Sequence, residues 1–282
     1  SGLTLVFGIM DMINLAHGAL YMVGAFLTAW LVQLTQSFWL GVVLAVMLTA
    51  VVGMLLEATL LRTLYARDHL SQVLATFALI LIINESVRMI WGTDMPLSIP
   101  QALSGPVELL PGLRYPSYRL VIIAVGLLIA LVLYLLVTRT RMGAWVRAGA
   151  SNREMAMAMG INIRRLFTGV FGIGAALCAV AGAMLGPLLA VQVGMGESIL
   201  ILAFVVIVIG GIGSVRGAFY SALIVGLIDT IGRAFLPMLL REFLDRSTAM
   251  AAGPALASML ISIFMALVLA FKPAGLFGRG DL

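Results

Sequence analysis

YRLVIIAVGLLIALVLYLLVT, residues 118–138, is an apolar run long enough to cross the ~30 Å hydrocarbon core of a bilayer as a helix. A segment in lipid has no water to satisfy its peptide groups, so a span of this kind must be helical. Working outward in both directions, runs at 2–13, 18–36, 39–61, 70–92, 166–192, 198–213, 217–237 and 252–271 read the same way, the first and seventh being short. Composition agrees. Of 282 residues, 62% are hydrophobic and 10% charged, with a mean hydropathy of +1.15, whereas soluble domains carry about 25% charged residues. The reading is an all-α polytopic transmembrane helical bundle of about 8–9 spans, forming one transmembrane domain over 1–282. The chain starts at Ser1 inside an apolar run without a basic n-region, which reads as a truncated first span and not as a signal peptide.

Arginine placement orients the bundle. The loop 139–165 carries Arg139, Arg141, Arg147, Arg153, Arg164 and Arg165 against one acid, Glu154, and is assigned to the cytoplasm. Counting spans from it puts Arg62, Arg67, His69, Arg216, Lys272 and Arg279 on the same side. The proline-rich segment 93–117 then faces outward, as a periplasmic loop. The mixed-charge stretch Arg241 to Arg246 breaks this parity and is expected to be an interfacial helix on the outer side. The net charge of +5 therefore reports topology and not nucleic-acid binding. A single cysteine, Cys178, excludes an internal disulfide and a cysteine metal cluster.

One of only two histidines lies in GIMDMINLAHGALYMVGAFL, residues 8–27, with Asp11 and Asn14 beside it. From Gly2 to Gln36 the chain is too long for one straight helix and too short for two comfortable ones. A helix broken near Asn14 to Gly18 fits the length, and broken helices are tolerated in membranes where their free backbone groups line a cavity or meet protein. An ordinary interfacial loop is the alternative. HGALY, residues 17–21, is echoed by RGAFY, residues 216–220, and interrupted segments at corresponding positions point to a transport site. The candidates for the translocation pathway are therefore Asn14, His17, Gly18, Gly213 and Gly217.

Charges within the spans are next. Glu85 with Arg88, and Asp229 with Arg233, have spacings that place opposite charges on one helix face, so each pair can neutralise itself. Asp11, His17 and Glu57 remain, with Glu57 close to Arg62. No carboxylate relay of the kind a proton-driven carrier uses is evident. GGIGSVRG, residues 210–217, has neither dinucleotide-binding spacing nor the setting for it, and no GxxxxGK[ST] is present. GAMLG, residues 182–186, has the spacing that lets membrane helices approach closely, and Pro187 is expected to kink or end that helix.

NREMAMAMGI, residues 152–161, resembles the cytoplasmic EAAxxxG signature of ABC-importer permeases, with Glu154, Ala156 and Gly160 in register and Met155 replacing an alanine. A short helix ended by Gly160 would present a methionine and alanine face suited to a groove in another protein. Glu154 is expected to cap its start or to pair with a basic group. Arg153, Glu154, Met155, Ala156, Gly160 and Ile161 are the candidates for coupling to an ATPase. More broadly, RDHLSQVLATFALILIINE at 67–85, RTRMGAWVRAGASNREMAMAMGIN at 139–162, AFVVIVIGGIGSVRGAFYSALIVGLID at 203–229 and FKPAGLFGR near the end resemble the LivH-like permeases of branched-chain amino acid ABC importers.

That resemblance implies a multi-pass subunit of the bacterial cell inner membrane that performs no chemistry itself. Its expected partners are a second, LivM-like permease subunit, two cytoplasmic ATPase subunits that hold the ATP-Mg, and a periplasmic solute-binding protein. No cofactor is expected in this chain. Relatives of this kind also import urea, amides and aromatic or other carboxylic acids. A secondary transporter without an ATPase and an intramembrane enzyme are the rival classes.

Overall fold

Six apolar runs become helices long enough to cross a membrane among the described residues of the computed structural model, and two shorter apolar helices, Met195–Gly210 and Ala255–Phe271, accompany them. The structure describes residues 3–4, 6, 14–65, 67–110, 113–211, 213–242 and 245–277. The expected first span, 2–13, lies almost wholly outside them. The chain divides into two compact units, Ser1–Leu200 and Ile201–Leu282.

In the first unit, α1 (Ala16–Thr35) ends where Gln36 adopts a left-handed φ of 53°, a conformation that closes helices. The tight connection turns α2 (Phe38–Leu56) back against it. α2 continues through a single π turn at Glu57–Leu61 into Arg62–Leu64. Asp68 then starts α3 (His69–Trp91), its side chain accepting a hydrogen bond from the Ser71 amide at 3.1 Å. The hydroxyl and amide of Ser71 together hold the Asp68 carboxyl below its usual range. After α4 (Ser117–Arg139) come two surface helices, α5 (Arg141–Ser151) and α6 (Arg153–Ala158), and then the long α7 (Ile163–Leu189). The basic loop is thus mostly helical, and α5 was not anticipated. Thr140 caps α5 by accepting from the Gly143 amide at 3.1 Å.

Residues 93–117 are not helical throughout. Strands β2 (Pro106–Leu110) and β3 (Leu113–Pro116) form a hairpin. β1 (Asp94–Met95) pairs antiparallel with β4 (Val191–Gln192), Asp94 opposite Gln192 and Met95 opposite Val191. This pairing ties the end of α3 to the end of α7. Pro187 sits within the last turn of α7, which stops at Leu189 before Ala190 turns to φ 64°.

Close backbone contact holds α1 between α2 and α7. A methyl built on Gly24 would collide with the Cα of Ala179, and one on Gly182 would run into the carbonyl of Tyr21 and lie 3.0 Å from the Ala25 nitrogen. GAMLG thus packs as its spacing implied. Lipid is as apolar as leucine, so it drives membrane helices together only weakly, and small residues that admit van der Waals contact supply the attraction. α1 is accordingly the most enclosed of the six spans.

In the second unit, α8 (Met195–Gly210), which begins in the first unit, leads into α9 (Val215–Leu240) and α10 (Arg246–Phe271). α9 and α10 pack with Gly232 facing Ala257 and Gly253 facing Pro237. Arg241 closes α9 and α10 begins at Arg246, so the expected interfacial helix at 241–246 is a short inter-helix connection, with residues 243–244 outside the described set. The two intrahelical ion pairs form as expected, Arg88 to Glu85 at 3.0 Å and Arg233 to Asp229 at 2.8 Å.

Gly24→Val is expected to force α1 and α7 apart, and overpacking of this kind costs about 1–3 kcal/mol. Gly126→Ala, where a methyl meets nothing within 4 Å, serves as the control. Thermal unfolding in detergent should show a lower midpoint for Gly24→Val and an unchanged one for Gly126→Ala.

Candidate translocation and coupling site

Asn14 stands two residues before α1, and its side-chain oxygen accepts from the Ala16 amide at 3.0 Å, satisfying the first amide of the helix from inside the protein. The His17 and Gly18 amides close the first turn onto the carbonyls of Asn14 and Leu15. Asn14 and His17 are each only 2% exposed. This helix start is therefore buried within the protein. Residues 7–13, Asp11 included, lie outside the described set.

The His17 ring meets Phe171 edge-on, with centroids 5.4 Å apart and planes at 88°. It fits against α7 because residue 174 is glycine: a methyl there would lie 3.0 Å from Nε2. Gly18 admits the start of α8, since a methyl on it would lie 2.6 Å from the Gly196 carbonyl oxygen. Among the described residues, both His17 ring nitrogens, Asn14 Nδ2 and the Tyr21 hydroxyl have no hydrogen-bond partner. His17 and Tyr21, four residues apart on α1, and Asn14 just before its start form a buried set of polar groups beside a helix otherwise packed by apolar atoms. Tyr21 was missed in the sequence, although it lies one turn beyond His17 within the repeated HGALY.

In the second unit, Gly213 lies in the turn before α9 with φ 79°, and Gly217 lies in the first turn of α9. Ser214 caps that helix, accepting from the Gly217 amide at 3.0 Å. A methyl on Gly217 would strike the Gly210 carbonyl. The echo thus extends to packing, with Gly18 set against Gly196 in one unit and Gly217 set against Gly210 in the other. The FKPAGLFGR segment also lands here: the Leu276 amide bonds the Ile209 carbonyl at 2.8 Å, and Phe277 stacks on Tyr220.

α6 carries the other candidate cluster. Its N-cap is Asn152, which accepts from the Met155 amide at 2.9 Å. Glu154 lies in the first turn and is not the cap, which corrects one of the two roles expected for it. At the far end, Gly160 takes φ 85°, the Ile161 amide bonds the Ala156 carbonyl at 3.1 Å, and the Gly160 amide bonds the Met157 carbonyl at 2.9 Å. Those two bonds define a Schellman closure. Ile161 turns inward to pack on the core cluster containing Phe167 and Phe171. Ala156 is buried, while Met155, Met157 and Met159 are exposed at 62%, 54% and 78%. Arg153 places its guanidinium 5.3 Å from the Phe167 ring centroid. Asn162 caps the next helix by accepting from the Arg165 amide at 3.1 Å.

Glu57, one of the three unpaired candidates of the sequence, is paired. It receives Arg62 at 3.1 Å and is fully buried on its side-chain surface.

Six apolar spans among the described residues, with capped, glycine-packed helix starts, are the architecture of a multi-pass membrane protein. The family described as the branched-chain amino acid transport system permease component matches residues 1–269, and the chain belongs to that family. It is 29% identical over 295 residues to the high-affinity branched-chain amino acid transport system permease protein BraD of Pseudomonas aeruginosa, covering 100% of this chain and 91% of BraD. It is 28% identical over 301 residues to LivH of Escherichia coli, described in the same terms, covering 100% of this chain and 90% of LivH. A shorter similarity, 33% over 115 residues and 38% of this chain, links it to 32% of the fructose import permease protein FrcC of Rhizobium meliloti. No solved structure matches the chain.

Asn14→Ser separates the two roles of that residue, because serine retains a capping oxygen and lacks the Nδ2 donors. The expected result in reconstituted vesicles is uptake reduced severalfold with an unchanged unfolding midpoint. Equal losses of uptake and stability would assign Asn14 to helix capping alone.

Proposed function

We propose that this chain is a membrane-spanning permease subunit of an ATP-binding cassette importer in the bacterial inner membrane. It translocates branched-chain or other amino acids delivered by a periplasmic binding protein. The chain acts as one permease domain of eight or nine spans. It pairs with a second, LivM-like permease subunit and with two cytoplasmic ATPase subunits, which hold ATP-Mg and perform the hydrolysis. The full-length family match supports this reading, as do relatives named for branched-chain amino acid transport. The observation that carries it is α6, a six-residue helix closed by left-handed Gly160 that exposes three methionines on a surface where a soluble subunit can dock.

In this scheme Asn14, His17, Gly18, Gly213 and Gly217 belong to the solute path. Arg153, Glu154, Met155, Ala156, Gly160 and Ile161 form the contact with the ATPase. The solute passes as a guest of the path, and its selection rests with the binding protein. The similarity to a fructose import permease favours keeping a second class of solute in view, since this stretch of fold is shared with a protein named for a sugar.

The test is reconstitution of the permeases with ATPases and binding protein in vesicles. Uptake should require ATP and the loaded binding protein, and uptake driven by an ion gradient alone would overturn the assignment. Gly160→Val should assemble and bind loaded receptor yet lose receptor-stimulated ATPase activity, because a β-branched residue resists φ 85°. Normal stimulation in that variant would remove the docking role from α6.

A further inference from the structure

A buried acid near the end of α2, marked by no motif, is held by three side-chain donors. Glu57 is fully buried. Its carboxyl oxygens accept from Arg62 Nη2 at 3.1 Å, from the Tyr65 hydroxyl at 3.1 Å and from the Thr168 hydroxyl at 2.5 Å. Arg62 Nη2 also donates to Thr168 Oγ at 2.9 Å. The Thr168 proton has two acceptors in reach, Glu57 and the Arg164 carbonyl at 3.0 Å. The shorter contact, made to a carboxyl already paired with arginine, prevails.

The backbone is bent to make this possible. On an ideal α-helix, residues five apart point about 140° away from each other. Through the π turn Glu57–Leu61, residue 57 lies beneath residue 62, and the acid and its arginine share one side. Thr168 comes from α7, far along the chain, so the network fastens the end of α2 to the start of α7. Burial and the Glu57 carboxyl push the Tyr65 phenol well above its ordinary value, so it remains a donor at neutral pH.

The network touches both candidate clusters. The Tyr65 ring meets Phe167 edge-on at 5.5 Å, and the Arg153 guanidinium of α6 stands 5.3 Å from the same ring. One turn further along α7, Phe171 meets His17 at 5.4 Å. An unbroken line of packed side chains therefore runs from the surface helix to the buried start of α1.

We propose that Glu57, Thr168 and Tyr65 form a rigid joint that makes α6, the π turn and the first turns of α7 move as one body, delivering displacement of α6 to the helix start at His17. This rests on the importer reading above. The three are positioning residues and touch no solute. A buried acid held by three donors resists sliding, because any intermediate arrangement leaves it under-satisfied. Transmission of this kind needs a connection that does not absorb the displacement itself, and the joint supplies one.

The test has two readouts on the assembled complex in lipid nanodiscs and vesicles. Spin labels at Leu60→Cys and Ser151→Cys in a Cys178→Ala background report whether α2 and the α5–α6 elbow keep a fixed separation. Uptake per ATP hydrolysed reports coupling. Thr168→Val, which deletes the hydroxyl and keeps the shape, should broaden the label distance and lower uptake per ATP about tenfold, a typical coupling magnitude. Basal ATPase activity and complex yield should hold. Thr168→Ser should restore both readouts. An unchanged distance distribution, or an unchanged ratio of uptake to hydrolysis, overturns the joint. If Thr168→Val fails to assemble, Tyr65→Phe is judged by the same two criteria. If the unmutated complex shows no ATP-dependent uptake, the importer reading fails and the label distances alone decide the joint.

Discussion

Backbone contact between α1 and α7, made possible by Gly24, Ala179 and Gly182, is the constraint on which the first unit depends. In lipid there is little gain in hiding one apolar side chain against another, so helices that meet must do so through close, shape-matched contact. Once α1 is clamped at this distance its first half is enclosed by protein on all sides. The polar groups there are then held inside, which places His17 and Tyr21 where they are, with Asn14 just before them. The same clamp brings Phe171 and Gly174 against the His17 ring. The location of these polar groups follows from glycine packing on the opposite partner.

Much of the bundle was legible because span length and hydropathy are local properties. The run at 118–138 became Ser117–Arg139, and 39–61 became a helix through Leu64. Gly160 was legible for a similar reason: a glycine closing a short apolar-faced segment between polar residues has few other uses. Pairing between β1 and β4 was not legible, since it joins Asp94 to Gln192 across most of the unit and involves only two residues on each side. Such brief strands carry no periodicity. Asn152 and not Glu154 caps α6, because an asparagine just before a helix reaches its free amides directly. The stretch 241–246, expected from its charges as an interfacial helix, instead joins the end of α9 at Arg241 to the start of α10 at Arg246.

The candidate site divides in the same way. Gly18 and Gly217 were visible through the HGALY and RGAFY echo, and their partners Gly196 and Gly210 were not. Both partners belong to α8, a helix too short to register strongly as a span, and an approach of two backbones leaves no trace in side-chain pattern. Tyr21 was inside the echo but reads as an ordinary aromatic until its burial and its unpartnered hydroxyl are known.

The π turn is the least legible feature, and its position has a physical reason. A π turn inserts one residue into a helix while keeping the peptide groups bonded, so it is among the few irregularities a span can carry without leaving polar backbone in lipid. Its penalty is loosened packing, which is recovered only if the displaced side chain finds partners that a regular helix denies it. Glu57 finds them in Arg62 and Thr168. The partners sit near the end of α2, where an arginine can reach back toward the acid while its side chain remains 35% exposed. Deeper in the span Arg62 would lose that exposure and its charge would need a second acid. Nearer the end, Glu57 would be solvated and the network would weaken to the level of a surface pair. A buried acid, a half-exposed arginine and an inserted residue are therefore mutually dependent, and that dependence confines the joint to the boundary between the apolar bundle and its basic surface helices.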